Sequence, residues 1–228
     1  MNVKLNKRIV ELPEFDEVFV FPSCSDETTS IGAAYVAAAG AGEQISALAD
    51  LYLGESFSEY EIELAIRDHV FGSAVRTIQV PEIGDRVAEL LNAGEIVARF
   101  DGREEFGARA LGNRSILADP SRVDIIRTIN KMIKCRDFWM PFATAMTDEQ
   151  AKRNLVNPKM VPSPYMIMTF DSTEKVAEFA AGAHPYDLTV RPQVVYREWN
   201  PSFYGILEMF AKLSGRNGGV LNTSFNLH

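Results

Sequence analysis

Gly102, Gly107 and Gly112 break the run FDGREEFGARALGNRSILADP (100–120) every five residues. Glycine weakens helix and strand interiors alike, so this run reads as a long loop. The preceding EIVARF reads as a strand, and any fold of the chain must deliver that strand into the glycine-broken segment. The same loop carries Arg103, Arg109 and Arg114, although the formal net charge of the 228-residue chain is -8. Lys134 and Arg136 follow where a helix ends in IKCRDFWMPF.

Two readings of these cations stand side by side. A guanidinium offers a planar fork of donors that matches phosphate or carboxylate oxygens. Glycines let backbone N–H groups approach an anion closely. Together they suit a phosphate cradle. The plainer reading pairs the arginines with Glu104, Glu105 and Asp119, and spacing alone leaves the two level. The loop is neither GxxxxGK[ST] nor GxGxxG. Lys134 and Arg136 fit a helix C-terminus, which favours cations, with Phe138, Trp139 and Phe142 as core. Composition alone favours that reading, and it weakens because the aromatic cluster and Pro141 could fix the Lys134 stem against a pocket wall. HPYDLTVRPQ places His184, Asp187, Thr189 and Arg191 before a strand, as a ligand cluster or as a self-satisfied turn. LNTSFN puts Asn222, Thr223, Ser224 and Asn226 at a strand end. There short polar groups serve ligand hydroxyls and phosphates, or simply a turn. Asp26 caps a helix or holds a metal; capping is the default.

The rest of the chain supplies the frame. Val18–Phe21 is an apolar run closed by Pro22 and reads as a strand, followed by an alanine-rich helix over 30–39. Ser58 three residues before Glu61 forms a capping box. The pattern weakens over 71–84, which predicts a junction between units 1–84 and 85–228. Beyond it, DRVAELLNAG reads as a helix stopped by Gly94. VDIIRTINKMIK reads as an amphipathic helix capped by Ser121, YMIMTF as a strand and STEKVAEFAAG as a helix. TVRPQVV is a strand in which Pro192 marks an edge or bulge. NPSFYGILEMFAKLSG is a helix with Asn200 as cap and Pro201 at its first position, and GGVLNTSF is a last strand. The elements mix without strict βαβ alternation. That predicts an α/β fold of α+β character on a twisted, mixed sheet.

Composition narrows the function. No apolar run reaches ~18 residues, so no membrane span is expected, and the N-terminus lacks the apolar region of a secretory signal. Two distant cysteines, three histidines and no CxxC speak against structural zinc and for a reducing, cytoplasmic setting. The acidic balance speaks against a broad nucleic-acid surface. It leaves room for a local basic pocket that takes a small phosphorylated ligand.

The order of the motifs adds more. GREEFGARALGNRSILADP, NKMIKCRDFWMPFA, HPYDLTVRPQVV, NPSFYGILEMF and LNTSFN together resemble the C-terminal half of the O-carbamoyltransferases, the nodulation and antibiotic-tailoring family. FPSCSDETTSIGAAYVAA resembles the end of that family's N-terminal domain, so the resemblance runs from about Phe15 to the end. It implies a two-domain enzyme: an actin-like (Kae1-like) domain with an iron-type metal site, then a YrdC-like domain. In the second, carbamoyl phosphate and ATP, with Mg, would give carbamoyl-adenylate while phosphate and pyrophosphate leave. The carbamoyl group would then pass to an acceptor hydroxyl on a sugar, antibiotic or nodulation factor. By the same resemblance, Arg109 and Lys134 match phosphate-binding, catalytic positions and Ser224 a nucleotide-contacting serine. Arg103, Arg114, Arg136, His184, Arg191 and Asn222 are motif positions at the substrate or nucleotide site. Asp26 matches the metal-binding aspartate of the intact enzyme.

Three departures qualify the carry-over. Met140 stands where many relatives have arginine. HPYDLTVR is a residue longer than the tight HxDxTxR spacing. Residues 1–84 resemble only the last elements of the first domain, without its histidine ligands, and the chain ends where relatives continue with a glycine-led segment. The expectation is a piece that activates carbamate but does not complete transfer. The apolar face of Val18, Val20 and the alanine-rich helix must be covered by the following domain or by a second copy, as a homodimer. Two rival functions remain at this level. One is a YrdC-type enzyme making threonylcarbamoyl-adenylate for tRNA, which calls for a basic RNA-facing surface. The other is a non-catalytic nucleotide-binding module.

Overall fold

The computed structural model describes residues 2–134, 137 and 140–226. Arg136, and with it Cys135, Phe138, Trp139 and His228, lies outside the described residues. Strands β1 (Val97–Phe100), β2 (Arg114–Ala118), β3 (Ala143–Thr147), β4 (Leu155–Val156), β5 (Asp171–Ser172), β6 (Pro192–Val195) and β7 (Val220–Ser224) form two sheets. The larger has the order β1-β2-β7-β3-β6, and β4 pairs β5 in a small ladder. In the large sheet only β3 and β6 run parallel; the other neighbours are antiparallel. The sheet is therefore mixed, as the sequence predicts, in an α+β setting. β6 lies at its edge, where a proline costs no ladder bond.

Helices α1 (Val3–Glu11), α2 (Thr28–Gly40) and α3 (Glu59–Asp68) precede the sheet. Then come α4 (Ile83–Asn92), α5 (Asp124–Ile129), α6 (Asp148–Asn154) and α7 (Pro201–Ser214). Local chemistry sets several boundaries. Ser58 and Glu61 exchange side-chain and backbone bonds at the start of α3, the capping box expected. Asn200 accepts from the Phe203 N–H at 3.0 Å and Pro201 occupies the first turn of α7, which Gly215 closes at φ 69°.

Helices α4 and α7 cover one face of the sheet, where Leu91, Phe203, Leu207 and Phe210 close over Leu117 and Ala145. On the other face Ile125 and Ile129 of α5 meet Leu221, beside Ala181 of a 3-10 helix over Glu174–Gly182. A third cluster joins Met146, Met168, Phe170 and Phe179, and Val10 of α1 closes it.

Several expectations need correction. Val18–Phe21 is not a strand: Val18 and Val20 lean on the third cluster, Phe19 faces solvent, and no sheet edge receives the backbone. YMIMTF is not a strand either, because Met166 adopts φ 57° and only Phe170 bridges Val190. Ser121 caps nothing; its N–H and hydroxyl both go to Asp119, at 2.9 and 2.8 Å, and α5 starts three residues later. STEKVAEFAAG winds as a 3-10 helix with Phe179 out of helical geometry. Helices α1 and α6 and strands β2 and β3 are elements that the sequence reading did not place.

Candidate active site

The glycine-broken loop is held from within by two charged groups. Buried Arg99, on β1, donates to the Gly112 carbonyl at 2.6 Å, Asn113 Oδ1 at 3.0 Å and Ser202 Oγ at 2.8 Å, and pairs with Asp101. Glu105 Oε1 accepts the backbone N–H groups of Leu111, Asn113 and Arg114 at 2.9, 2.7 and 3.1 Å. The curl needs glycine at 112: its φ is 114°, and a Cβ there would stand 2.3 Å from the Phe203 ring.

Three donors then fasten the loop, two of them from the sheet. Tyr52 Oη donates to the Leu111 carbonyl at 2.8 Å, Gln193 Nε2 to the same oxygen at 2.6 Å, and Asn222 Nδ2 to the Ala110 carbonyl at 3.0 Å. Burial pushes the Tyr52 hydroxyl up to about 12, so it keeps its proton across the ordinary pH range. Arg109 comes just before this fastened segment.

The expected arginines part company here. Arg103 donates to the carbonyls of Gly54 and Leu53 at 2.8 and 3.0 Å, tying residues 53–54 to the loop. Arg114 donates to the Asp101 carbonyl at 2.9 Å and lies 3.6 Å over the Phe100 ring. Neither lines the site; both brace the loop. The carboxylates expected as partners are largely committed elsewhere, since Asp119 pairs Arg216 at 2.6 Å and only Glu104 approaches Arg114, at 3.8 Å.

Arg109, Arg191, Asn222 and Ser224 do come together. They line a polar pocket of about 20 Å³ beneath Ala108 and Met166. A wider cleft of about 430 Å³ shares Arg109 and Arg191 and adds His184, Thr189, Met140 and Lys4. Asn222 and Ser224 belong to β7, where Ser224 pairs Ser115 of β2.

Lys134 reaches the same strand end from the opposite direction. After Ile129 the helix widens into a π turn over Asn130–Lys134, a distortion frequent at functional sites. The Lys134 side chain is 0% exposed. Its Nζ donates to Ser224 Oγ at 3.2 Å, Asn226 Oδ1 at 2.8 Å and the Asn226 carbonyl at 2.5 Å. A buried ammonium is costly to desolvate and is held there by the oxygens it donates to.

His184 sits in a turn of its own. Its Nδ1 lies 3.2 Å from Asp187 Oδ1, and Asp187 also receives Lys4 and the Thr189 N–H and hydroxyl. Burial works against the Asp187 anion, but the bonds from Lys4 and Thr189 outweigh it and hold the carboxyl below its usual range.

Asp26 is exposed, and among the described residues only its carbonyl is engaged, accepting from the Thr29 N–H at 3.1 Å and the Thr29 hydroxyl at 2.6 Å. Its carboxylate does not cap α2, against the default expectation. Among the described residues no three His, Cys, Asp or Glu side chains converge on a point. The groups near Asp26 therefore do not fit an iron-type site, which needs several converging ligands. Lys4, Tyr52, Arg99 and Gln193 are structurally central residues that the sequence does not single out, and Glu105, expected as an arginine partner, takes backbone N–H groups instead. None sits in a pattern that separates it from ordinary polar residues.

The chain is thus an α+β protein whose guanidinium and ammonium groups converge at one strand end, an arrangement suited to an anionic ligand. The family model described as Carbamoyltransferase C-terminus matches residues 88–228, and the chain belongs to that family. It is 35% identical, over its full length, to an uncharacterized protein of Methanocaldococcus jannaschii, of which it covers 37%. It is 30% identical over 99% of its length to nodulation protein NolO of Bradyrhizobium diazoefficiens, covering 41% of that protein. The 3'-hydroxymethylcephem-O-carbamoyltransferase of Amycolatopsis lactamdurans is 29% identical over the whole chain and 41% covered. The chain spans about two fifths of the length of these relatives.

Proposed function

We propose that the chain is the part of an O-carbamoyltransferase that binds ATP and carbamoyl phosphate and forms carbamoyl-adenylate, residues 85–228 carrying the chemistry. One observation carries this reading: Arg109, Arg191 and Ser224 line a single pocket, and buried Lys134 bonds Ser224 at its edge. Carbamoyl phosphate and ATP bring dense negative charge that such groups neutralise. Carbamate, released from carbamoyl phosphate by water, presents an oxygen to the α-phosphorus of ATP, and pyrophosphate departs. Positioning and charge stabilisation by Arg and Lys supply most of the catalysis in phosphoryl chemistry of this kind. Mg would enter with the triphosphate. The acceptor hydroxyl, and any iron-type metal, belong in this reading to the further length that the relatives have. A cytoplasmic setting, where ATP and carbamoyl phosphate are made, goes with it.

Calorimetric titration of the chain with carbamoyl phosphate and with ATP tests the proposal. A charge-assisted bond contributes roughly 1.5–3 kcal/mol. Arg109→Ala and Lys134→Ala should each weaken binding by about one to two orders of magnitude. Arg103→Ala, at a residue outside the pocket, should change affinity by less than about threefold. Unchanged affinity in both pocket variants would refute the assignment.

A further inference from the structure

Asn222 Oδ1 is buried and has no hydrogen-bond partner among the described residues. Buried side-chain oxygens are nearly always bonded, so an orphan on a residue that lines a pocket calls for a reason. Its orientation is not free. The Asn222 amide nitrogen donates both to the Ala110 carbonyl, at 3.0 Å, and to Gln193 Oε1, at 2.7 Å. Turning the amide over would set its oxygen against two acceptors. Gln193 cannot turn to accommodate it, because its own nitrogen donates to the Leu111 carbonyl at 2.6 Å. A backbone carbonyl accepts only, so the chain of donors has one direction: Gln193 to Leu111, Asn222 to Gln193 and Ala110. The last acceptor left over is Asn222 Oδ1.

The sheet explains how the two amides meet. Asn222 on β7 pairs Ala143, and Gln193 on β6 pairs Ala145, both on β3. Those alanines share one face of β3, since residues two apart point the same way. Their methyls leave the space over β3 in which two long polar side chains reach each other.

We propose that Gln193 is a positioning residue that locks Asn222 with its carbonyl oxygen as an acceptor, so that the pocket selects a ligand carrying an N–H group beside its anionic part. The inference rests on the functional reading above and adds the means by which a carbamoyl group is told from an acyl group of the same shape. A carbamoyl NH2 satisfies the orphan oxygen. A methyl in its place leaves that oxygen desolvated and unpaired, which a site built to hydrogen-bond penalises. The pocket, at about 20 Å³, has room for a group of that size and little more.

Acetyl phosphate replaces the NH2 of carbamoyl phosphate by CH3 and keeps the phosphate, so the pair isolates this contact. In titrations of the unmutated chain, carbamoyl phosphate should bind roughly 10- to 100-fold more tightly than acetyl phosphate. Gln193→Met and Asn222→Leu should each bring that ratio to within about threefold of one while acetyl phosphate still binds, which shows that the pocket persists. Equal affinities in the unmutated chain would overturn the inference yet leave the anion pocket standing, provided Arg109→Ala weakens both ligands. A ratio that survives Gln193→Met would overturn the lock. Binding of neither phosphate would overturn both the inference and the functional reading beneath it.

Discussion

Arg99 shows how a cation can dominate a site without taking part in it. Its guanidinium spends its donors on the loop's own oxygens, on Ser202 and on Asp101, and so fixes the curl that presents Arg109. Gly112 is the steric counterpart. Gly112→Ala combines strain at positive φ with overpacking against Phe203, each worth roughly 1–3 kcal/mol. Thermal unfolding should show a loss of at least about 2 kcal/mol; a neutral substitution would mean that the loop does not hold this geometry. Asp187 yields a prediction in pH. Its folded carboxyl titrates below its usual range, so its contribution is complete above the unfolded value of about 3.9 and is lost as pH falls through the folded one. Asp187→Asn should therefore melt below the unmutated chain at pH 7, and the gap should close on acidification below about pH 4. A gap independent of pH would remove the charge from the explanation.

Elements with chemical punctuation were legible in the sequence, and those without it were not. Ser58 with Glu61, and Asn200 with Pro201 and Gly215, mark ends by local bonds that need nothing else from the fold. Asn200→Ala should cost about 1–2 kcal/mol, since the side chain also donates to Asn113 at 2.8 Å within the loop. Chemical denaturation reads this directly, and a cost below about 0.3 kcal/mol would deny the cap. By contrast, Val18–Phe21 has strand composition but no edge to pair with. Whether an apolar run becomes a strand is decided by a neighbour that sequence does not show. β3 is ATAMT, buried throughout, so it lacks the alternation that marks a strand with one wet face. The site was half legible. Arg109, Lys134, Arg191, Asn222 and Ser224 converge as the motifs suggest, but Arg103 and Arg114 look the same in sequence and only brace the loop. What separates them is which carbonyls lie within reach, a property of the tertiary fold.

At the scale of the whole molecule, the sheet and its two helical layers hold the candidate site, while α2 lies apart from all three apolar clusters. None of its residues is buried, although five of its thirteen are alanine, and Val36 is 74% exposed. Val36→Gln should shift the melting temperature of the chain by less than about 2 °C; a loss of several degrees would show α2 packed within it. Among the described residues no helix is long and apolar enough to cross a membrane. In the proposed function, the cations at the end of β7 activate carbamate with ATP. Exchange of labelled pyrophosphate into ATP measures that step alone, with no acceptor needed. Exchange should require carbamoyl phosphate and fall at least about 100-fold in Lys134→Ala and Arg109→Ala. Exchange without carbamoyl phosphate, exchange indifferent to both substitutions, or no exchange by a chain that binds both ligands would overturn the proposed function.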